Sequence, residues 1–209
     1  MPIPAEYITA FVTLFVVIDP IGLAPLFVAL TAGMDGRRRR AIALRACATA
    51  AVLLTLFGLF GETLLEFVGI SMPAFRIAGG LLLFLTALEM LFERRGKRRE
   101  GQAQGAEEPD DDPSVFPLAT PLIAGPGAMA TMILLAGAPG ADWQTVLAMH
   151  AVMLAVLLVV LALFFAGGLL ERALGPTGIN VVTRLLGMLL AALSVQFVLD
   201  GLRGFGLAG

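Results

Sequence analysis

The stretch 16-VVIDPIGLAPLF-27 decides how this chain is read. It lies in an apolar run long enough to cross a membrane, yet it holds a carboxylate, Asp19, two prolines, Pro20 and Pro25, and Gly22. A charge at the centre of a bilayer costs about 2.5–3.5 kcal/mol on insertion scales. An interior proline removes a hydrogen bond and collides with the carbonyl four residues earlier. A helix that only had to span lipid would carry neither.

Composition sets the surroundings. Of 209 residues, 58% are hydrophobic and 14% charged, and the mean hydropathy is +0.92. Soluble domains are nearer a quarter charged. About 20 mainly apolar residues span a bilayer as a helix. Six blocks qualify, at 7–30, 41–60, 74–92, 115–137, 145–166 and 182–202. Barrel strands would alternate apolar and polar residues, and these blocks do not. The expected fold class is all-α, a polytopic membrane protein with six transmembrane helices. The opening MPIPAEY has no basic segment and no small-residue cleavage site, so no cleaved leader is expected.

Charge placement predicts orientation. Arg37, Arg38, Arg39, Arg40 and Arg45 follow block one, and Arg94, Arg95, Lys97, Arg98 and Arg99 follow block three. Arg172 and Arg184 flank the loop after block five, which puts 12 of the 14 basic residues on one side. The positive-inside rule makes that side cytoplasmic and both termini external. The arginine run is a topology signal, and no nucleic-acid partner is expected. Net charge, −2, says little, because the charges cluster in loops.

Residues 94–114, RRGKRREGQAQGAEEPDDDPS, are polar, charged and rich in Gly and Pro. Such a stretch builds no core, and it reads as a flexible cytoplasmic linker between two halves, 1–93 and 115–209. Its acidic cluster, Glu107, Glu108, Asp110, Asp111 and Asp112, reads as solvated.

The halves resemble each other. FRIAGGLLLFL (75–85) matches TRLLGMLLAAL (183–193), FGETLLE (60–66) matches FAGGLLE (165–171), and DPIG (19–22) falls opposite GPGA (125–128). The offsets are 106, 105 and 108 residues for Pro20/Pro126, Phe60/Phe165 and Arg76/Arg184. Three helices per copy make an inverted-topology repeat, as in many secondary transporters, whose sites lie where matching helices are interrupted. The second interruption is ATPLIAGPGAMAT, with Pro121, Gly125, Pro126 and Gly127. Helices 1 and 4 are therefore expected to be broken near mid-membrane. Asp19 before Pro20, and Thr120 before Pro121, have the form of helix starts. Amides at such starts suit a carboxylate; freed carbonyls, or Asp19 itself, suit an ammonium. Glycines 22, 125 and 127 allow close approach to the backbone. Two facing breaks offer both poles to a zwitterionic amino acid.

The remaining polar residues receive plainer roles. Gln196 is a candidate pore-lining donor or an interhelical hydrogen-bond partner. Arg76 and Arg184 are anchors to lipid phosphate or partners of carboxylates. Gly79, Gly80 and Gly187 are close-packing positions. Cys47 and His150 are each the sole residue of their kind, so neither disulfide nor metal site is expected. With no nucleophile–base pair, an intramembrane hydrolase is not expected either.

The segments DPIGLAPLFVALT, GISMPAFRIAGGLLLFLTALEML, FPLATPLIAGPGAMAT and RLLGMLLAALSVQFVLDGL resemble the MarC family, six-helix bacterial inner-membrane proteins also called the neutral amino acid transporter family. The resemblance covers residues 5–204 apart from the linker. It implies proton-linked transport of small neutral amino acids such as glycine or alanine. By position, Asp19, Pro20 and Gly22 match the first motif, Gly125, Pro126 and Gly127 the second, and Gln196 and Asp200 the last. Two departures adjoin the site: Leu23 stands where many members have Asn, and Thr120 where an apolar residue is common.

The expectation is a secondary transporter working by alternating access, with substrate held by Asp19, Pro20, Ile21, Gly22, Thr120, Gly125, Pro126, Gly127, Ala128 and Gln196. Its partners are the amino acid and membrane lipids. No cofactor is expected; coupling to H+ or Na+, and assembly as a homo-oligomer, are left open. The alternatives are an exporter or channel for another small solute and a non-transporting scaffold or regulatory protein.

Overall fold

The structure is a computed structural model that describes residues 5–104, 112–137 and 142–207. All its elements are helical: α1 (Ala5–Ile18), α2 (Pro20–Leu30), α3 (Gly36–Val68), α4 (Met72–Leu91), α5 (Arg94–Gln104), a wide, π-wound segment (Ser114–Ile123), α6 (Pro126–Ala136) and α7 (Trp143–Gly204). α7 carries two membrane-length spans, Trp143–Leu170 and Arg172–Gly204, and its backbone leaves helical geometry at Gly175, φ 61° and ψ 174°, near the start of the second. Among the described residues, five segments are long and apolar enough to cross a membrane. A sixth arises if the π-wound segment and α6, bent by 58°, count as one. With 33 residues, α3 is about 50 Å long at 1.5 Å per residue, more than the roughly 30 Å of a hydrocarbon core, so its arginine-rich start lies beyond the apolar layer.

Burial sorts the spans. In Ala5–Leu30, 56% of the apolar window is buried, against 22–33% in the spans formed by α3, α4 and α7. The α1–α2 pair is therefore central, and α6 is too, with Ala128, Thr131, Met132, Ile133 and Leu134 all buried. The outer spans keep large apolar residues exposed, including Phe60, Leu158 and Leu169. Water would penalise that surface and lipid does not. The core joins Leu14, Val17, Leu23 and Phe27 to Ile42, Leu54, Met132 and Phe164. The rings of Phe27 and Phe164 stack with centroids 4.2 Å apart, and the Arg39 guanidinium lies 5.2 Å above Phe27.

Glycine sets the approach of α4 to the second span of α7. A Cβ on Gly80 would stand 2.8 Å from the Ser194 carbonyl oxygen, and one on Gly187 would stand 3.3 Å from that of Ala87. These positions and Gly79, which faces Leu134, fit the close packing expected of them.

The stretch expected to be a solvated linker differs at its start. Residues 94–104 form α5, which folds back beside α2 and buries Arg95 and Arg99. Asp112 pairs with Arg45 at 2.8 Å; Glu107, Glu108, Asp110 and Asp111 lie outside the described residues.

Candidate functional site

At the first break, α1 ends at Ile18 and Asp19 takes a left-handed conformation, φ 56° and ψ 66°, a region that Asp tolerates better than most residues. Pro20 has no N–H to give and its ring suits the first turn of α2. Asp19 Oδ1 accepts from the Gly22 amide at 3.1 Å, so the amide that would have closed the α1 ladder caps α2 instead. Gly22 is required for this, since a Cβ there would stand 2.9 Å from the Asp19 carboxyl carbon and nearer still to Oδ2.

The carbonyls freed by the break are taken by α5. Arg99 donates to Ile18 O at 2.9 Å and to Asp19 Oδ2 at 2.9 Å, and Arg95 donates through Nη2 to Val17 O. Arg95 and Arg99 are 6% and 4% exposed and Asp19 is 1% exposed, so the Arg99–Asp19 pair is fully desolvated. Asp19 is thus both a cap and the partner of an arginine. The acceptor pole expected to meet a substrate ammonium holds two guanidinium groups.

At the second break, Phe116 and Thr120 have extended φ/ψ. Each precedes a proline, Pro117 and Pro121, and clash with the proline ring drives the preceding residue out of the helical region. Gly125 then starts α6. A Cβ there would lie 2.5 Å from the Pro121 carbonyl oxygen, which only glycine avoids. Pro126 takes the first turn, no side chain caps the helix, and its first hydrogen bond runs from the Met129 amide to Gly125 O. The amides of Gly127 and Ala128 therefore project from an open amino terminus. The two breaks adjoin: a Cβ on Gly127 would lie 3.3 Å from Val17 Cγ1.

Two cavities flank this junction. One, of about 570 Å³, reaches from Asp19, Gly22 and Pro25 past Glu89 and Arg99 to Asn180. The other, of about 160 Å³, is lined by Val17, Thr86, Arg95, Arg98, Arg99 and the run from Pro121 to Ala128 without Ala124. Arg98 pairs with Glu89 at 2.8 Å and Arg99 with Asp19, while Arg95 has no ion pair among the described residues. Arg95 Nε and Nη1 are buried without a partner among the described residues, as are Glu89 Oε2 and Thr183 Oγ1. A buried donor left unsatisfied costs roughly 1–3 kcal/mol, and more when charged. Burial, and then the charge of Arg99, push the Arg95 guanidinium down to about 9; it remains cationic at neutral pH.

Six of the sequence-predicted residues line these cavities: Asp19 and Gly22 the larger, Gly125, Pro126, Gly127 and Ala128 the smaller. Pro20 and Ile21 belong to the first turn of α2, and Thr120 to the π-wound segment, without lining either. Gln196 departs from its expected place. It is exposed and donates to Asp200 on its own helix at 2.9 Å, away from both cavities. Arg184 pairs with Glu93 at 2.6 Å. His150 packs on Gly58, with Nδ1 2.7 Å from Val146 O, and no group of three His, Cys, Asp or Glu suited to a metal occurs among the described residues. Sequence reasoning missed Arg95 and Arg99. Their signal was the spacing of four, which puts both on one face of a helix.

The sequence profile described as MarC family integral membrane protein matches residues 5–205. A UPF0056 membrane protein of Methanocaldococcus jannaschii, MJ1677, is 37% identical over 95% of this chain and 96% of its own length. Two proteins of Escherichia coli K12, the UPF0056 membrane protein YhcE and the UPF0056 inner membrane protein YhgN, are each 33% identical over 95% of this chain, and over 92% and 96% of their own lengths. No solved structure matches the chain.

Proposed function

We propose that this chain, which belongs to the MarC family of integral membrane proteins, is a secondary transporter of small neutral amino acids, of the glycine or alanine class, in the bacterial inner membrane. The observation that carries the reading is the junction of two interrupted spans. One offers acceptors, Asp19 and the carbonyls of Val17 and Ile18; the other offers the uncapped amides of α6. A zwitterion needs both poles. The cavity of about 160 Å³ at the α6 amides, with Val17 on its wall, exceeds the ~10–15 Å³ that holds one water and falls below the roughly 300 Å³ at which drug-sized sites begin. It suits a solute of a few heavy atoms.

The inverted repeat belongs to this reading, and three observations support it. Helices α2 and α6 are each 11 residues long. Each begins with proline, at positions 106 apart. The contact of Gly80 with Ser194, carried across by the 108-residue offset of the third helices, becomes Met188 with Thr86, one residue from the observed contact of Gly187 with Ala87. Helices with matched breaks around a shared site suit alternating access. With α5 seated, Arg99 holds the acceptor pole. The substrate ammonium exchanges with that guanidinium for Asp19, which loosens α5, and the cytoplasmic side opens.

Uptake of labelled glycine and alanine into proteoliposomes, with and without a proton or sodium gradient, tests this. The wild-type protein is expected to accumulate one of them above empty vesicles, and Asp19→Asn to lose uptake while still eluting as a folded species. Background-level uptake of both by the wild type under every gradient removes the substrate assignment. Passage of many unrelated solutes without saturation would make the protein a channel instead.

A further inference from the structure

We propose that Arg95 and the amino-terminal amides of α6 form a binding subsite for a small monoanion, either the carboxylate of the transported solute or a free inorganic anion such as chloride. The carboxylate form rests on the transport reading above; the anion site itself does not.

Four observations converge on the smaller cavity. Its lining includes three arginines, Arg95, Arg98 and Arg99, and no carboxylate. Arg98 and Arg99 are neutralised from outside it by Glu89 and Asp19, which leaves the charge of Arg95 without an ion pair among the described residues. Arg95 is 6% exposed, and with Nη2 given to Val17 O, its Nε and Nη1 are buried with no acceptor among the described residues. Those two nitrogens carry three N–H bonds. The same cavity is lined by Gly127 and Ala128, whose amides no side chain caps, at the positive end of the α6 dipole. The adjoining hydroxyl, Thr86 Oγ1, has its proton committed to Leu82 O. A buried guanidinium with unmet N–H donors and no ion pair among the described residues, set against a cavity whose lining holds no carboxylate, suits an anion. A cation would be repelled, and a neutral solute could accept from the N–H groups but would leave the charge uncompensated.

The sequence placed the anion pole at the α6 amides alone, because Arg95 was read as part of a solvated linker. Its contribution makes the pole bipartite: one wall comes from a membrane-embedded break and the other from a helix on the arginine-rich face. Anion binding and the seating of α5 are then coupled, since the same guanidinium that receives the anion ties α5 to Val17.

Thermal unfolding of the purified full-length chain in detergent, in halide-free buffer, reads this directly, because a ligand selective for the folded state raises its melting temperature. Acetate is expected to raise it saturably, and acetamide, its uncharged isostere, to leave it unchanged. This comparison needs no variant. In Arg95→Gln the acetate concentration for half the effect rises at least tenfold, whereas in Arg40→Gln, at an exposed position in the first turn of α3, it does not move. Saturation by acetate but not chloride identifies a carboxylate site; saturation by chloride as well identifies an inorganic anion site. Equal effects of acetate and acetamide, no saturation by either anion, or an unaltered response in Arg95→Gln overturns the proposal. Anion binding without amino acid uptake would fail the transport reading alone, and uptake without anion saturation would fail this one alone.

Discussion

Asp19 serves two structures at once, and its two oxygens separate the roles. Oδ1 caps α2 through the Gly22 amide, and Oδ2 holds Arg99. Asparagine caps helices about as well as aspartate, so Asp19→Asn keeps the first role and abolishes the second. What remains is a guanidinium, 4% exposed, without its counter-ion. Removing one partner of a buried ion pair costs about 3–5 kcal/mol, whereas removing both is often far milder. The single variants Asp19→Asn and Arg99→Met should each lower the melting temperature in detergent by more than the double variant does. Additive losses would mean that the pair carries no coupling. Neighbouring glycines give a second contrast. Gly125→Ala forces a Cβ within 2.5 Å of a backbone oxygen, while in Gly127→Ala the nearest atom is a side-chain methyl at 3.3 Å. The first is expected to yield little folded protein and the second near-normal amounts, by gel filtration. The carboxylate, the prolines and the glycines of both breaks were legible because each violates a local rule for a helix in lipid. Arg95 and Arg99 break no local rule. Their partners stand about 80 residues away, and the spacing of four, which puts both on one helix face, does not announce a contact of that range.

Among elements, α5 is the most instructive. It has no apolar residue to bury except Ala103, and isolated helices of about 11 residues are marginal in water. Its docking rests on Arg95 and Arg99 at the first break and on Arg98 at Glu89. Composition counts apolar surface and is blind to that kind of anchor, which is why this stretch reads as linker. The π-wound segment escaped for a related reason: Pro117 and Pro121 announced an interruption, but how the backbone would turn depends on α3 packed against it. Gln196 was misplaced because the pattern of the last span fixes its depth and not which face meets the core. The contact of α4 with α7 is different, since small residues there were readable. In Gly80→Ala the new methyl meets the Ser194 carbonyl oxygen at 2.8 Å and the Val198 nitrogen at 3.0 Å. Both are backbone atoms that cannot swing aside, and overpacking of this kind costs about 1–3 kcal/mol. Gly168→Ala, in a helix with nothing within 4 Å, should instead gain about 0.5–1 kcal/mol from helix propensity. Opposite shifts in melting temperature are expected, and a loss in both would point to helix bending in place of close packing.

At the scale of the whole molecule, five of the six expected spans were legible in outline from length and hydropathy alone, and the sixth stands if the bent π-wound segment and α6 count as one. Which spans lie at the centre was not, because that depends on packing that periodicity does not encode in helices apolar on most sides. The central pair are those that carry the breaks, and both cavities lie against α5, which joins the arginine-rich face. If that face is cytoplasmic, as the placement of Lys and Arg predicts, α5 closes the junction from inside the cell. Trp143, 71% exposed at the start of α7, then stands at the external face. The native thiol does not interfere with a test, since Cys47 is buried. A cysteine placed at Gly101, an exposed position of α5, should react with a membrane-impermeant maleimide in inside-out vesicles and not in intact cells; one at Trp143 should do the reverse. Labelling of both from the same side would contradict an odd number of crossings between them. A clean exchange of the two patterns would keep the fold, turn the molecule over, and make α5 the closure of the external face.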